Sequence, residues 1–121
     1  MDDLVSWLLE GDVSVQYLTH KYLLNSDPAI LEQLQNRIET KGYGAEYLFH
    51  QNPNGHWGIH YYQKKWTCTH YTLLDLKNLG ISPTLKPARE MVLRMFDECM
   101  LPDGGVDLSK SELPCDICIN G

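Results

Sequence analysis

The chain has 121 residues, of which 43% are hydrophobic and 21% charged, with a formal net charge of −6. That is the mix of an ordinary globular protein, long enough for one domain with a modest core. The acidic balance, with no Lys/Arg run longer than Lys64-Lys65, argues against nucleic acid as a partner, because phosphate binding needs clustered cations.

The start, Met1-Asp2-Asp3, is acidic rather than basic, unlike a secretory leader. No apolar run approaches the roughly 20 residues of a membrane span. The expectation is a soluble, cytoplasmic protein with no membrane span. Its four cysteines, Cys68, Cys99, Cys115 and Cys118, are then expected as thiols rather than disulfides.

In chain order, residues 3–9 suit a short helix with Leu4, Trp7 and Leu8 on one side, ended by Gly11-Asp12. Asp12 or Ser14 is placed to cap a second helix over 13–24, with Val15, Leu18 and Tyr22 as its apolar stripe. Asp27-Pro28 reads as N-cap and first helical position of a third helix, 28–40, burying Ile30, Leu31, Leu34 and Ile38. A short fourth helix covers 43–50.

Next comes the polar turn Gln51-Asn52-Pro53-Asn54-Gly55-His56-Trp57-Gly58. Pro53 cannot continue a helix, and Asn54-Gly55 tolerates positive φ. Trp57 beside so tight a turn is suited to plug a gap between helices. A fifth helix is predicted over 65–79. At about 100° per residue, Trp66, Thr69, His70, Leu73, Leu74, Leu76 and Leu79 spread over more than half of its circumference. So wide an apolar arc predicts an inner helix, closed by Gly80 at the left-handed C-cap position. After Ser82-Pro83, a sixth helix over 84–100 presents Ala88, Met91, Val92, Met95, Phe96 and Cys99 on one face. Arg89, Glu90, Arg94, Asp97 and Glu98 fall mostly opposite. No strand is predicted, and 107–121 carries no assignable pattern.

An internal repeat links two of these segments. Shifted by 49 residues, Tyr47 falls on Phe96, Pro53 on Pro102, Asn54 on Asp103 and Gly55 on Gly104. Gln51 and Trp57 fall on Met100 and Val106, so the second copy is degenerate. A helix-pair unit of this length fits a repeat architecture.

The series Lys41-Gly42, Tyr47-Leu48, Gln51 and Gly55-His56-Trp57 resembles the QW motif of the squalene-cyclase and protein-prenyltransferase superfamily, with the aromatic pair about a residue out of register. Lys65–Leu74, Trp7–Asp12 and Cys118–Gly121 are similar to uncharacterised bacterial prenyltransferase-like proteins of that superfamily. The resemblance covers nearly the whole chain. It implies helical hairpins, about 3–40, 43–79 and 84–121, forming part of an α/α toroid. A closed toroid needs more hairpins, so the expectation is a single all-α domain, 1–121, from the N-terminal part of a longer protein.

Candidate chemistry is sparse. The resemblance would make Asp116 and Cys118 of Cys115-Asp116-Ile117-Cys118 zinc ligands, as in the Asp-x-Cys pair of protein prenyltransferases, with a distant His as third. The simpler reading is a helix start with apolar cysteines, and a redox pair lacks a βαβ setting. No cofactor is predicted. Trp66, His70 and Tyr61 are the candidates for lining a cavity, since π-faces suit an apolar chain or a carbocation. The alternative is plain packing, which is also the expectation for Gln51, Gly55 and Trp57 as a structural turn. No Asp-x-Asp-Asp cluster, Ser-His-Asp order or Gly-rich phosphate loop occurs.

Two functions follow as expectations. One is a terpenoid-cyclase or prenyltransferase-like protein with a cavity for an isoprenoid or other apolar ligand, its catalytic groups not evident in this chain. The other is a non-catalytic helical-repeat scaffold that binds a protein or peptide. Apolar faces left uncovered on the fifth and sixth helices predict self-association.

Overall fold

The computed structural model describes residues 2–64 and 66–108. Six helices are present among them: α1 (Asp3–Leu9), α2 (Val13–Tyr22), α3 (Pro28–Ile38), α4 (Gly42–Phe49), α5 (Thr69–Asn78) and α6 (Lys86–Cys99). The only β feature among the described residues is an isolated antiparallel bridge between Met100 and Val106. The all-helical class expected from the sequence is therefore the observed one. No helix among these residues is long and apolar enough to cross a membrane.

The helix ends follow local chemistry. The Asp12 carboxylate accepts the Ser14 N–H at 2.8 Å and caps α2, and its other oxygen accepts the Tyr43 N–H at 2.9 Å near the start of α4. One side chain thus satisfies orphan donors at two helix N-termini. Pro28 stands at the first position of α3, where its missing N–H costs nothing. Helix α5 ends in a Schellman motif: Gly80 N–H donates to Lys77 O at 3.0 Å and Ile81 N–H to Leu76 O at 3.1 Å.

The chain divides into two compact units. One comprises the residues up to His50 together with Leu74–Pro83; the other comprises Gln51–Leu73 and the described residues from Thr84 on. In the first, α2 packs on α1, α3 and α4, and α3 on α4. Its core is Val13, Tyr17, Leu34 and Ile38, with Leu18 and Leu31 against it. The buried face of α2 is rotated from the predicted stripe: Val13, Ser14 and Tyr17 are inside, whereas Val15 and Tyr22 are exposed. Ile30, predicted inside, is also exposed. Helix α1 buries no residue.

The second unit has a different core. Trp57, Tyr61, Cys68, Ala88, Met91, Cys99 and Leu108 are buried together with the polar His56, Thr69 and Thr72. Helix α5 starts at Thr69, four residues later than predicted. The reason is local: Trp66 has φ of 44°, in the left-handed region that an α-helix cannot include. The first donors of α5 are satisfied by the preceding loop, with Thr69 N–H to His60 O at 3.2 Å and His70 N–H to Tyr61 O at 2.9 Å.

Candidate functional site

The turn after α4 is closed by its own backbone. Asn52 N–H donates to His56 O at 2.8 Å and Gly55 N–H to Asn52 O at 2.9 Å. The Asn54 side-chain oxygen accepts the His56 N–H at 3.0 Å. Gln51 Nε2 donates to Gly55 O at 2.9 Å and, more weakly, to Pro87 O at 3.4 Å in the first turn of α6. Trp57 is 2% exposed. Gln51, Gly55 and Trp57 thus lie in one hydrogen-bonded turn with the indole ring buried.

Thr69, the first residue of α5, meets the turn. Its hydroxyl oxygen accepts the Trp57 N–H at 3.0 Å and lies 2.8 Å from His56 Nδ1. On its other side, His56 Nε2 lies 3.5 Å from Arg94 Nη2. A guanidinium can only donate, so this contact favours the His56 tautomer whose proton is on Nδ1, facing Thr69 Oγ1. Arg94 also donates from Nη1 to Asn54 O at 2.7 Å and from Nε to Glu98 at 3.2 Å. Glu98 accepts in turn from the Tyr61 hydroxyl at 2.6 Å. Burial and this bond push the Tyr61 phenol well above its ordinary range. Arg94 and Glu98, on the charged side of α6 opposite its apolar face, tie that helix to Asn54 and Tyr61. Their i, i+4 spacing was visible, but their long-range partners were not.

The cavity candidates separate into two places. Tyr61 is fully buried, with its ring edge-on to His56 at 4.6 Å and its hydroxyl committed to Glu98. Trp66, by contrast, is 71% exposed rather than part of an inner helix. Its ring lies 4.8 Å from Tyr71, which also meets His70 at 4.9 Å and Tyr62 at 5.7 Å. Tyr62 and His70 are 5.8 Å apart, and the two tyrosine hydroxyls 3.3 Å apart. Trp66 and His70 therefore share one aromatic surface with Tyr62 and Tyr71, and Tyr61 belongs to the interior. Burial lowers the His70 pKa from its usual value, favouring the neutral ring.

Such a surface offers π-faces and a neutral imidazole, and so suits an apolar or cationic group better than an anion. Among the described residues, no group of three or more His, Cys, Asp or Glu is placed to hold a metal ion. Asp116 and Cys118, with Cys115, lie outside the described residues. Cys68 and Cys99 are both buried.

The turn has a second copy. After α6, Leu101 N–H donates to Gly105 O at 2.7 Å and Gly104 N–H to Leu101 O at 3.0 Å. The Asp103 carboxylate accepts the Gly105 N–H at 2.8 Å. These are the three closing bonds of the first turn, moved along the chain by 49 residues. No family model, curated protein or solved structure matches this chain.

Proposed function

We propose that this chain is a helical-repeat segment built on the plan of the terpenoid cyclases and protein prenyltransferases, an arc of an α/α toroid. Its role in this reading is to hold an isoprenoid or similarly apolar ligand against Tyr62, Trp66, His70 and Tyr71. The observation that carries the reading is the repeated turn, closed by the same hydrogen bonds in both copies and containing the buried Trp57 in the first. The aromatic surface supports the ligand class, because its rings give large contact area and attract positive charge. Any reaction would be of the cyclase or prenyl-transfer kind. Native mass spectrometry of the protein purified from its host tests this. The expected result is a co-purifying apolar adduct that is lost in Trp66→Ala. A protein free of adduct that also takes up no added farnesol or geranylgeraniol contradicts it.

A second reading, a non-catalytic scaffold for a protein, a peptide or a second copy of the chain, is favoured by α6. Val92, Leu93 and Phe96 on that helix, and Met100 just after it, are exposed. Apolar surface of this kind usually marks association. Sedimentation across a concentration series separates the outcomes: a two-fold dimer weakened by Phe96→Glu supports this reading, and a monomer at all concentrations opposes the dimer.

A further inference from the structure

The first unit contains a pocket of about 460 Å³ that the aromatic surface does not involve. Its apolar wall is Leu18, Tyr17, Ile81 and Pro83, and its polar rim includes Lys21 and Lys77. Small-molecule sites have about this volume, and this one combines apolar side chains with the polar Lys21, Gln35, Lys77 and Asn78. Among the described residues no carboxylate lines it, although the chain carries a net charge of −6.

The two lysines come from different helices. Lys21 is in the last turn of α2 and Lys77 in the last turn of α5. A cation in the last turn complements the helix dipole, which accounts for each lysine singly. It does not account for both lining the same pocket. Neither has an ion-pair partner among the described residues. The Lys21 ammonium lies 5.3 Å from the Tyr22 ring centroid and 5.7 Å from that of Tyr17, contacts that favour its charged form. The Gln35 amide donates to Gly80 O at 3.0 Å and fixes that side of the pocket.

We infer that this pocket binds a phosphate-headed small molecule, with the phosphoryl group between Lys21 and Lys77 and an apolar body against Leu18, Ile81 and Pro83. Two ammonium groups match a dianionic head better than a carboxylate, and lysine is an effective point-charge partner for phosphate. The apolar wall distinguishes an organic phosphomonoester from free phosphate, which would use the rim alone.

Amide chemical-shift titration at low ionic strength tests the assignment, with inorganic phosphate, phenyl phosphate and the monoanion benzoate as probes. The expected result is saturable shifts at Lys21, Tyr22 and Lys77–Ile81. Phenyl phosphate should bind about tenfold more tightly than inorganic phosphate, a difference of ~1.4 kcal/mol, and more tightly than benzoate. Lys21→Ala and Lys77→Ala should each weaken it about tenfold, with Lys86→Ala on α6 without effect. Both pocket lysines are exposed, so the variants should fold, and circular dichroism checks this. Shifts scattered over all cationic residues and weakened equally by Lys86→Ala would mean general charge attraction and overturn the site. So would phenyl phosphate binding no better than inorganic phosphate, or no saturable shift with any probe.

Discussion

Gly55 and Gly104 occupy the same place in two turns 49 residues apart, with φ of 93° and 87°. Each donates its N–H to the carbonyl three residues back, at 2.9 and 3.0 Å. Their surroundings differ. A Cβ on Gly55 would lie 2.6 Å from Met91 Sδ, whereas one on Gly104 would meet nothing within 4 Å. Both positions carry the backbone cost of a left-handed L-residue, about 1–2 kcal/mol. Gly104→Ala should lose that amount, and Gly55→Ala somewhat more, because the Met91 side chain must also shift. Urea denaturation of the two variants checks the order; equal losses would mean that Met91 yields without cost.

Trp57 and Trp66 should respond oppositely to truncation. Trp57 fills the second core, so Trp57→Ala should cost ~3–5 kcal/mol. Trp66 lies largely in solvent and adopts a left-handed backbone, so Trp66→Ala should change stability by no more than about 0.5 kcal/mol. Thermal and chemical melts of both variants decide this.

The helices and their punctuation were largely legible in the sequence. Asp12, Pro28 and Gly80 act through short-range chemistry that needs only neighbouring residues, and each does what its type predicts. The faces were less legible. A helical wheel shows an apolar arc but not which neighbour covers it, so Val15, Tyr22 and Ile30 were placed inside although they are exposed. The start of α5 was missed because the left-handed Trp66 has no glycine or proline to announce it. In the second unit, the interior includes His56, Thr69 and Thr72, which hydropathy does not select. His56 and Thr69 are buried where the turn meets the start of α5 and each needs a polar partner there, and the long-range bonds of Arg94 and Glu98 to Asn54 and Tyr61 leave no trace in the local pattern.

His70 gives the stability a pH dependence. Burial lowers its pKa below the ordinary 6.5, so between the folded and unfolded values the unfolded chain binds more protons. The stability due to the neutral ring is present above pH 6.5 and is lost as pH falls through the folded-state value. His70→Gln should flatten that part of the profile. Denaturant midpoints measured across this range, for both proteins, check the sign; a wild-type midpoint that rises on acidification there, with His70→Gln flat, would contradict it.

Ser14 is 1% exposed, and its hydroxyl has no hydrogen-bond partner among the described residues. Its backbone N–H, not its side chain, takes the Asp12 cap. Removing a buried unpaired hydroxyl relieves a desolvation cost of about 1–3 kcal/mol, offset by the small void left. Ser14→Ala should therefore be as stable as wild type or up to about 1 kcal/mol more stable. A clear loss in calorimetry would mean that the hydroxyl is satisfied in solution.

The proposed ligand surface is tested most directly by titrating farnesol into isotope-labelled protein and following backbone and side-chain shifts. The account predicts saturable shifts at Tyr62, Trp66, His70 and Tyr71, absent in Trp66→Ala while the fold is retained. Shifts confined to Val92, Leu93, Phe96 and Met100, or no saturable shift up to the solubility limit of the ligand, would contradict it.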